Sequence, residues 1–474
     1  HYTDSNPLGV TFYDNINKGY YVSTNNYIDI DFPFISGLKY RLNTGVNIDF
    51  ADQKTYRPRT TAAGEAANGS SSTRASQGNN TTIENILSYN NTFGKHGISG
   101  TLLYSMQSGK SEATSLSASL YPNDLNKWNS IGQAEVVNPS YQISERTILS
   151  QMIRLNYSYD TRYLLTLTAR RDGYSGFGVN SKWGTFPSAA IGWNIHKEDF
   201  FPSGNFISNL KLRVSYGLNG NQAIDPYQTI ARMRAENNVS LSNPIPGYYP
   251  STLAQDNLSW ESSKTLNAGI DFGFLDNRIH GDLNIYQTIT TDLLLERTIS
   301  PIHGISDITD NIGETQNNGL ELYLNATAIQ KIENDFYWNI AGNLSLLKNR
   351  INSLYGILDE EGNEIDDIGS KWFIGQPIAV NYDWKMIGIW QLDEAVEAAT
   401  YGQQPGFVKV EDINTDGKID AEDRQLIGQR SPKILWGMTN SLSYKDFTLI
   451  IFLHGVHGAT KSNPLWRDHA LAEV

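Results

Sequence analysis

The sequence of 474 residues has no cysteine, few charged residues and no long apolar run, and each absence narrows the possible functions. The lack of cysteine suits an exported protein that avoids stray disulfides. Charged residues make up only 18 % and the net charge is −13, which argues against a nucleic-acid partner because phosphate contacts need a basic surface. The most apolar run, 447–453, is too short for a membrane-spanning helix.

Apolar and polar residues alternate along much of the chain, most clearly in 148–193. Two runs there are joined only by Asp160-Thr161-Arg162, the length of a tight hairpin turn. Because a strand points successive side chains to opposite faces, this hairpin has one apolar and one polar face. The apolar face carries Leu149, Ile153, Leu155, Tyr157, Tyr159, Tyr163, Leu165, Leu167 and Ala169.

The same pattern recurs in about fourteen segments, with no convincing amphipathic helix between them. Connections alternate between short and long, as in outer-membrane barrels, whereas a sandwich mixes loop lengths and a propeller repeats at a fixed period. The polar stretches 60–82, 108–145 and 349–433 are predicted to be long connections. An all-β, antiparallel transmembrane barrel follows, with a polar lumen and interfacial aromatic residues at Trp193, Phe274, Tyr286, Trp338 and Tyr444.

An ordered series of motifs strengthens this interpretation. They are Arg171-Asp172-Gly173 with Phe177-Gly178 and 183–188, then Leu210-Lys211-Leu212-Arg213, 217–222, Asn257-Leu258-Ser259-Trp260-Glu261, Asn311-Ile312-Gly313-Glu314, 318–322, 412–424 and Ile427-Gly428. With the segments around them, they follow one another in order from about Tyr20 to Gly458, nearly the entire chain. On these residues the chain resembles the SusC/RagA-type TonB-dependent transporters of the Bacteroidetes outer membrane.

The resemblance implies a barrel of about 22 strands that carries an N-terminal plug. Residues 1–474 would then form a partial barrel domain, with the plug and the terminal strands outside this chain. It further implies uptake of an oligosaccharide or peptide across the bacterial outer membrane, without covalent chemistry. A SusD-like lipoprotein would cover the outer face, and the TonB complex would act through the plug.

One loop resembles a calcium-binding loop. Oxygen-bearing side chains occupy positions one, three, five, nine and twelve of 412–423, and glycine occupies position six, where it permits a sharp bend. The predicted ligands are Asp412, Asn414, Asp416, Lys418 through its backbone carbonyl, Asp420 and Asp423. The alternative is an Asp/Asn/Gly-rich turn whose side chains bond their own backbone.

Aromatic residues near the long loops are candidates for substrate binding, because flat apolar rings suit sugars and peptides. The candidates are Tyr174, Trp183, Tyr248, Tyr249 and Trp260. The competing interpretation is that these rings pack the loops against one another or sit at the membrane interface.

Two other function classes stay open at this point. A transporter-like barrel could serve as a scaffold subunit of an outer-membrane complex, which loss or blockage of the plug would favour. A soluble β-rich glycan enzyme or lectin would need no detergent for extraction and, as an enzyme, would bury a pair of carboxylates.

Overall fold

The computed structural model describes residues 7–201, 206–240, 243–300, 302, 304–331 and 335–461. Strands dominate this part of the chain. In chain order they are β1 (Asp14–Asp31), β2 (Leu38–Arg57), β3 (Ser70–Phe93), β4 (His96–Ser119), β5 (Val136–Tyr159), β6 (Tyr163–Tyr174), β7 (Trp183–Asn194), β8 (Ile207–Asn221), β9 (Arg232–Ser240), β10 (Asn243–Thr252), β11 (Glu261–Phe274), β12 (Ile279–Thr291), β13 (Leu294–Thr298), β14 (Asp307–Asn311), β15 (Glu314–Lys331), β16 (Phe336–Ser353), β17 (Val380–Trp384), β18 (Met386–Ile389), β19 (Val408–Val410), β20 (Arg424–Gln429), β21 (Ile434–Tyr444) and β22 (Phe447–His457).

The helices are short. They are α1 (Ala62–Glu65), α2 (Ala395–Thr400) and 3-10 helices at Pro7–Phe12, Lys127–Gln133, Ile195–Lys197, Leu392–Glu394 and Ala421–Asp423. Among the described residues, no helix has the length and apolar character needed to cross a membrane.

Fourteen strands form one antiparallel sheet in the described part of the chain. Its order is β1-β2-β3-β4-β5-β6-β7-β8-β11-β12-β15-β16-β21-β22, so each strand pairs with the sheet strand before it in sequence. The predicted number of about fourteen strands is therefore confirmed. The remaining strands pair two by two inside the long connections: β9 with β10, β13 with β14, β17 with β20 and β18 with β19.

Short and long connections alternate around this sheet as predicted, except that the β7–β8 connection has twelve residues and the β6–β7 connection eight. The three-residue β5–β6 turn is tight, and Asp160 and Thr161 in it have positive φ values of 50° and 54°, which match the twist of the flanking strands. The short turns gather at one end of the wall and the long connections at the other. By the rule for outer-membrane barrels, the long-loop end faces the outside.

The two faces of the sheet differ as the alternation predicts. Leu155 pairs with Leu167 on the outward face, where Ile153 is 55 % exposed although it is fully apolar. On the opposite face Asn156 pairs with Thr166, whose hydroxyl donates to the Asn156 Oδ1 at 2.9 Å. No compact dry interior encloses these outward apolar side chains in the described structure, so they suit contact with lipid.

The interfacial aromatic residues are mostly placed as predicted. Trp193, Phe274, Trp338 and Tyr444 share the register of the outward apolar residues. Tyr286 was predicted wrongly, because it alternates with outward Ile285 and so lies on the inward face. Its ring covers Gly319 on the neighbouring strand, where a Cβ atom would lie 2.3 Å from the ring.

Two segments that were predicted to be loops contain long strand extensions instead. Residues 60–82 contain α1 and the outer half of β3, and residues 108–145 contain the outer parts of β4 and β5. Serine, threonine and asparagine are frequent in both stretches. Their backbone groups pair in continuous ladders, β3 with β2 and β4, and β4 with β5, so the strands persist without an apolar face to mark them. The third predicted loop, 349–433, does hold mostly irregular structure after β16 ends.

Candidate functional sites at the long-loop end

An aromatic cluster lies on the inward side of the wall where the strands give way to long loops. Tyr174 and Trp260 are only 3 % and 9 % exposed, and Phe177 packs between them with ring-centre distances of 5.2 Å and 5.1 Å. The Tyr174 hydroxyl donates to the Ile224 carbonyl at 3.2 Å, and the Trp260 Nε1 donates to the Lys182 carbonyl at 3.1 Å. The rings therefore hold the β6–β7 and β8–β11 connections together.

Glycine allows the backbones of the two connections to approach each other closely. Gly178 donates its backbone N–H to the Leu258 carbonyl at 3.1 Å, and a Cβ atom on Gly178 would lie 2.0 Å from the Asp256 carbonyl oxygen. Asn311 joins the same assembly, accepting from the Ser259 N–H at 2.7 Å and donating to the Ser259 carbonyl at 3.0 Å. Motifs that are far apart in sequence thus meet in one assembly where the long loops leave the strands, and we call this assembly the loop base.

The five aromatic candidates for substrate binding do not form one site. Tyr174 and Trp260 lie in the buried cluster, where their faces are covered. Trp183 is 43 % exposed on the outward face, with the Arg171 guanidinium 4.7 Å from its ring centre. Tyr248, 68 % exposed, and Tyr249 lie on the β9–β10 hairpin. Of the five, Tyr248 and Tyr249 present ring surface on a long loop, and substrate contact stays a prediction for them.

Arg170 and Arg213, which the sequence offers as lumen-lining or paired arginines, form ion pairs on the inward wall. The Arg170 Nε donates to both oxygens of Asp172 at 3.0 Å and 2.8 Å, and its Nη2 donates to the buried Ser150 hydroxyl at 3.0 Å. Further along, Arg213 donates to Asp271 at 3.0 Å. Polar residues at every second position were the only sequence signal, and they do not reveal which residues pair.

The predicted calcium loop is held largely by bonds to its own backbone. Asn414 accepts from the Asp416 N–H at 3.1 Å, and Asp416 accepts from the Lys418 N–H at 2.9 Å. The Asp420 carboxylate likewise accepts from the Glu422 N–H at 2.9 Å. These bonds are those expected of an Asp/Asn-rich turn.

Asp423 and Asp412 anchor the two ends of this loop. Asp423 is fully buried, and backbone N–H groups of Asp420 and Ile413, each at 2.9 Å, lower the pKa of its carboxyl. The Asp412 Oδ2 accepts from the Gly417 N–H at 3.0 Å, whereas its Oδ1 is buried without a hydrogen-bond partner in the structure. No group of three or more His, Asp or Glu side chains among the described residues is arranged to hold a metal ion.

Comparisons with known proteins agree with the fold. A family model described as TonB dependent receptor-like, beta-barrel, matches residues 1–424. The TonB-dependent receptor P3 of Formosa agariphila is 33 % identical over 441 residues, which cover 90 % of this chain and 43 % of that protein. The receptor SusC of Bacteroides thetaiotaomicron is 33 % identical over 335 residues, covering 68 % of this chain and 32 % of SusC.

A solved structure supports the same architecture. The structure of the RagAB peptide transporter matches with a TM-score of 0.78 at 22 % identity, over 95 % of this chain and 49 % of the matched chain. The chain spans less than half the length of these relatives. Since the family model covers most of the chain, and both the strand order and the motif order agree with it, the chain belongs to the TonB-dependent receptor-like β-barrels of the bacterial outer membrane, of the SusC/RagA type.

Proposed function

We propose that this chain forms wall and outer loops of a TonB-dependent transporter that takes up an oligosaccharide or peptide. The proposal rests on the difference in polarity between the two faces of the sheet. An apolar outward face suits lipid, and a hydrogen-bonded polar inward face suits a water-filled passage. No covalent step is part of this function.

The inward face suits a path for a polar solute. Asn325 and Asn339 bond across β15 and β16 at 2.9 Å, and Asn349 donates to Asn317 at 2.7 Å. Amide side chains of this kind can exchange partners with sugar hydroxyls or peptide groups at little cost. Tyr248 and Tyr249, on the outer hairpin, would supply flat apolar surface at the entrance.

The proposed uptake requires two partners besides the bilayer. A SusD-like lipoprotein would retain the substrate at the outer face, and the TonB complex would act on a plug in the lumen. The sequence similarity to SusC supports this arrangement. The polar inward face offers hydrogen-bonding groups to such a plug.

Native co-purification followed by uptake tests the proposal. The full-length protein, tagged and extracted in detergent, should bring down a surface lipoprotein together with a bound glycan or peptide that mass spectrometry identifies. Cells should then import that molecule, and a protonophore that collapses the inner-membrane gradient should reduce import to background. Replacing both Tyr248 and Tyr249 by Ala should weaken capture severalfold, whereas Tyr249→Phe should not.

The scaffold interpretation makes the opposite prediction. A protein that co-purifies with other outer-membrane proteins but carries no ligand, and whose deletion leaves import unchanged, would overturn the transport proposal.

We further propose that the 412–423 loop binds Ca²⁺ and braces the outer connection between β16 and β21. The support is the buried Asp412 Oδ1, which the bonds within the loop leave unpaired. The predicted ligands Asn414, Asp416 and Asp420 would reorient towards the ion, and Lys418 would offer its carbonyl. The ion would rigidify the loop and take no part in any reaction.

Trp384 provides a reporter for this calcium site. Its Nε1 donates to the Asp420 carbonyl at 2.6 Å, so an ion in the loop should change its fluorescence. Calcium at about millimolar concentration should shift the emission, and Asp412→Ala should weaken binding at least about tenfold. Trp384→Phe should abolish the signal, and Glu360→Gln, at an exposed acid elsewhere, should leave it unchanged. Equal titrations for Asp412→Ala and the parent would rule the site out.

A further inference from the structure

The outer half of β5 has a neighbour on only one side. β5 pairs with β4 along its whole length, from Val136 to Tyr159. It pairs with β6 only from Ile148 onward, because β6 ends at Tyr174. Residues 136–147 therefore form a strand edge that continues the β5–β6 ladder beyond the point where β6 stops.

The direction of the free backbone groups follows from the end of that ladder. The Thr147 N–H donates to the Ser175 hydroxyl at 2.9 Å, and the Ser175 N–H donates to the Thr147 carbonyl at 3.0 Å, so Thr147 faces the β6 side. Because residues two apart point the same way, Glu145, Ile143 and Tyr141 face that side too. The Glu145 N–H already donates to the Tyr227 hydroxyl at 3.1 Å.

Beyond Glu145 this edge is open and uncharged. Every residue from 136 to 146 is exposed, and the nine residues 136–144 carry no charge. Natural sheet edges are usually protected by lysine, by bulges or by proline, and here the only such protection is Pro139. The side chains next to the edge are apolar, with Tyr141 62 % and Ile143 42 % exposed.

An extended polypeptide is the occupant that fits such an edge. Its backbone presents N–H and C=O groups at the spacing that Val137, Tyr141 and Ile143 leave free, whereas a helix has its backbone groups internally bonded. Its alternate side chains would pack beside Tyr141 and Ile143 on one face. On the other face they would meet the polar row that contains Ser140 and Gln142.

We propose that residues 136–144 bind an extended segment of a partner polypeptide by strand addition. The added strand occupies the position that β6 would take if it were longer, antiparallel to β5. Recognition is carried mainly by the backbone and so tolerates many sequences, with a preference for apolar residues at alternate positions. This surface is independent of transport through the lumen.

A backbone-specific peptide test decides the proposal. The probe is a fluorescent, acetylated nonapeptide of alternating Thr and Val, and its binding to the detergent-solubilised full-length protein is followed by anisotropy. The control probe is the same peptide N-methylated at two adjacent central residues, which blocks both of its edges. We expect the unmodified peptide to bind at least tenfold more tightly than the methylated one.

Substitutions on the protein should change binding in opposite directions. Tyr141→Pro removes an N–H on the free side without touching the ladder to β4, and binding should weaken about tenfold. Tyr141→Ala keeps that N–H and should weaken binding less. Pro139→Ala adds a donor and should tighten binding severalfold. Unchanged thermal unfolding of each variant would confirm that the barrel is intact. Equal affinity for both peptides, or no effect of Tyr141→Pro, would overturn the proposal.

Discussion

Replacing Leu155 by Arg should destabilise the chain by about 2–4 kcal/mol, because the guanidinium would then lie in the apolar band of the bilayer. Leu155 faces outward five residues before the β5–β6 turn, opposite Leu167. At about 3.3 Å per residue and a tilt of about 45°, this distance places it near the bilayer midplane. Denaturant unfolding of the chain inserted in lipid vesicles measures the loss.

The neighbouring residue supplies the matched control. Asn156 lies on the inward face beside Thr166, so Asn156→Arg should change stability by less than about 1 kcal/mol. The comparison uses the same strand and the same new side chain, at nearly the same depth. If both substitutions cost the same, the assignment of lipid and water to the two faces of the sheet would be wrong.

Phe177→Ala should open the loop base, with a loss of about 3–5 kcal/mol in the free energy that holds these loops closed. The Phe177 side chain is 1 % exposed and contacts Tyr174 and Trp260 from both sides, so its removal leaves a cavity that the rigid strand ends cannot close. Proteolysis within 175–182 and 222–260 should become much faster, and amide exchange should rise there first.

A surface phenylalanine gives the comparison for this experiment. Phe34 lies in the short β1–β2 turn and is 79 % exposed, so Phe34→Ala should leave loop proteolysis unchanged. Gly178→Ala should resemble Phe177→Ala, because its Cβ atom would collide with the backbone at Asp256. If both loops of Phe177→Ala resist proteolysis and amide exchange as well as they do in the parent protein, the cluster does not hold the loops closed.

The sheet could be predicted wherever one of its faces is apolar. The alternation around Leu155 and around Leu322 identifies strands, because lipid contact requires apolar side chains at every second position. The strands within residues 60–82 and 108–145 could not be predicted from the sequence, because both faces of those strand extensions are largely polar. What sustains them is backbone pairing of β3 with β2 and β4, and of β4 with β5, which depends on neighbours distant in sequence.

The aromatic candidates show that the sequence predicts only part of the site as well. Tyr174 and Trp260 lie in one buried cluster, although 86 positions separate them in sequence. Composition alone cannot distinguish a buried ring from a binding ring. Trp183 illustrates the same difficulty, since its face of the sheet depends on the β6–β7 register, in which it pairs with Gly173. The turns between the strands set this register, which the sequence alone does not show.

Unequal strand lengths give the described part of the wall an uneven outer edge. β3, β4 and β5 have 24 residues each, whereas β6 and β7 have 12. At about 3.3 Å per residue and a tilt of about 45°, the long strands rise about 56 Å and the short ones about 28 Å, against an apolar band of about 25 Å. If this chain forms the wall of an uptake channel, as we propose, a bulky solute would enter sideways over the low flank and meet the high one.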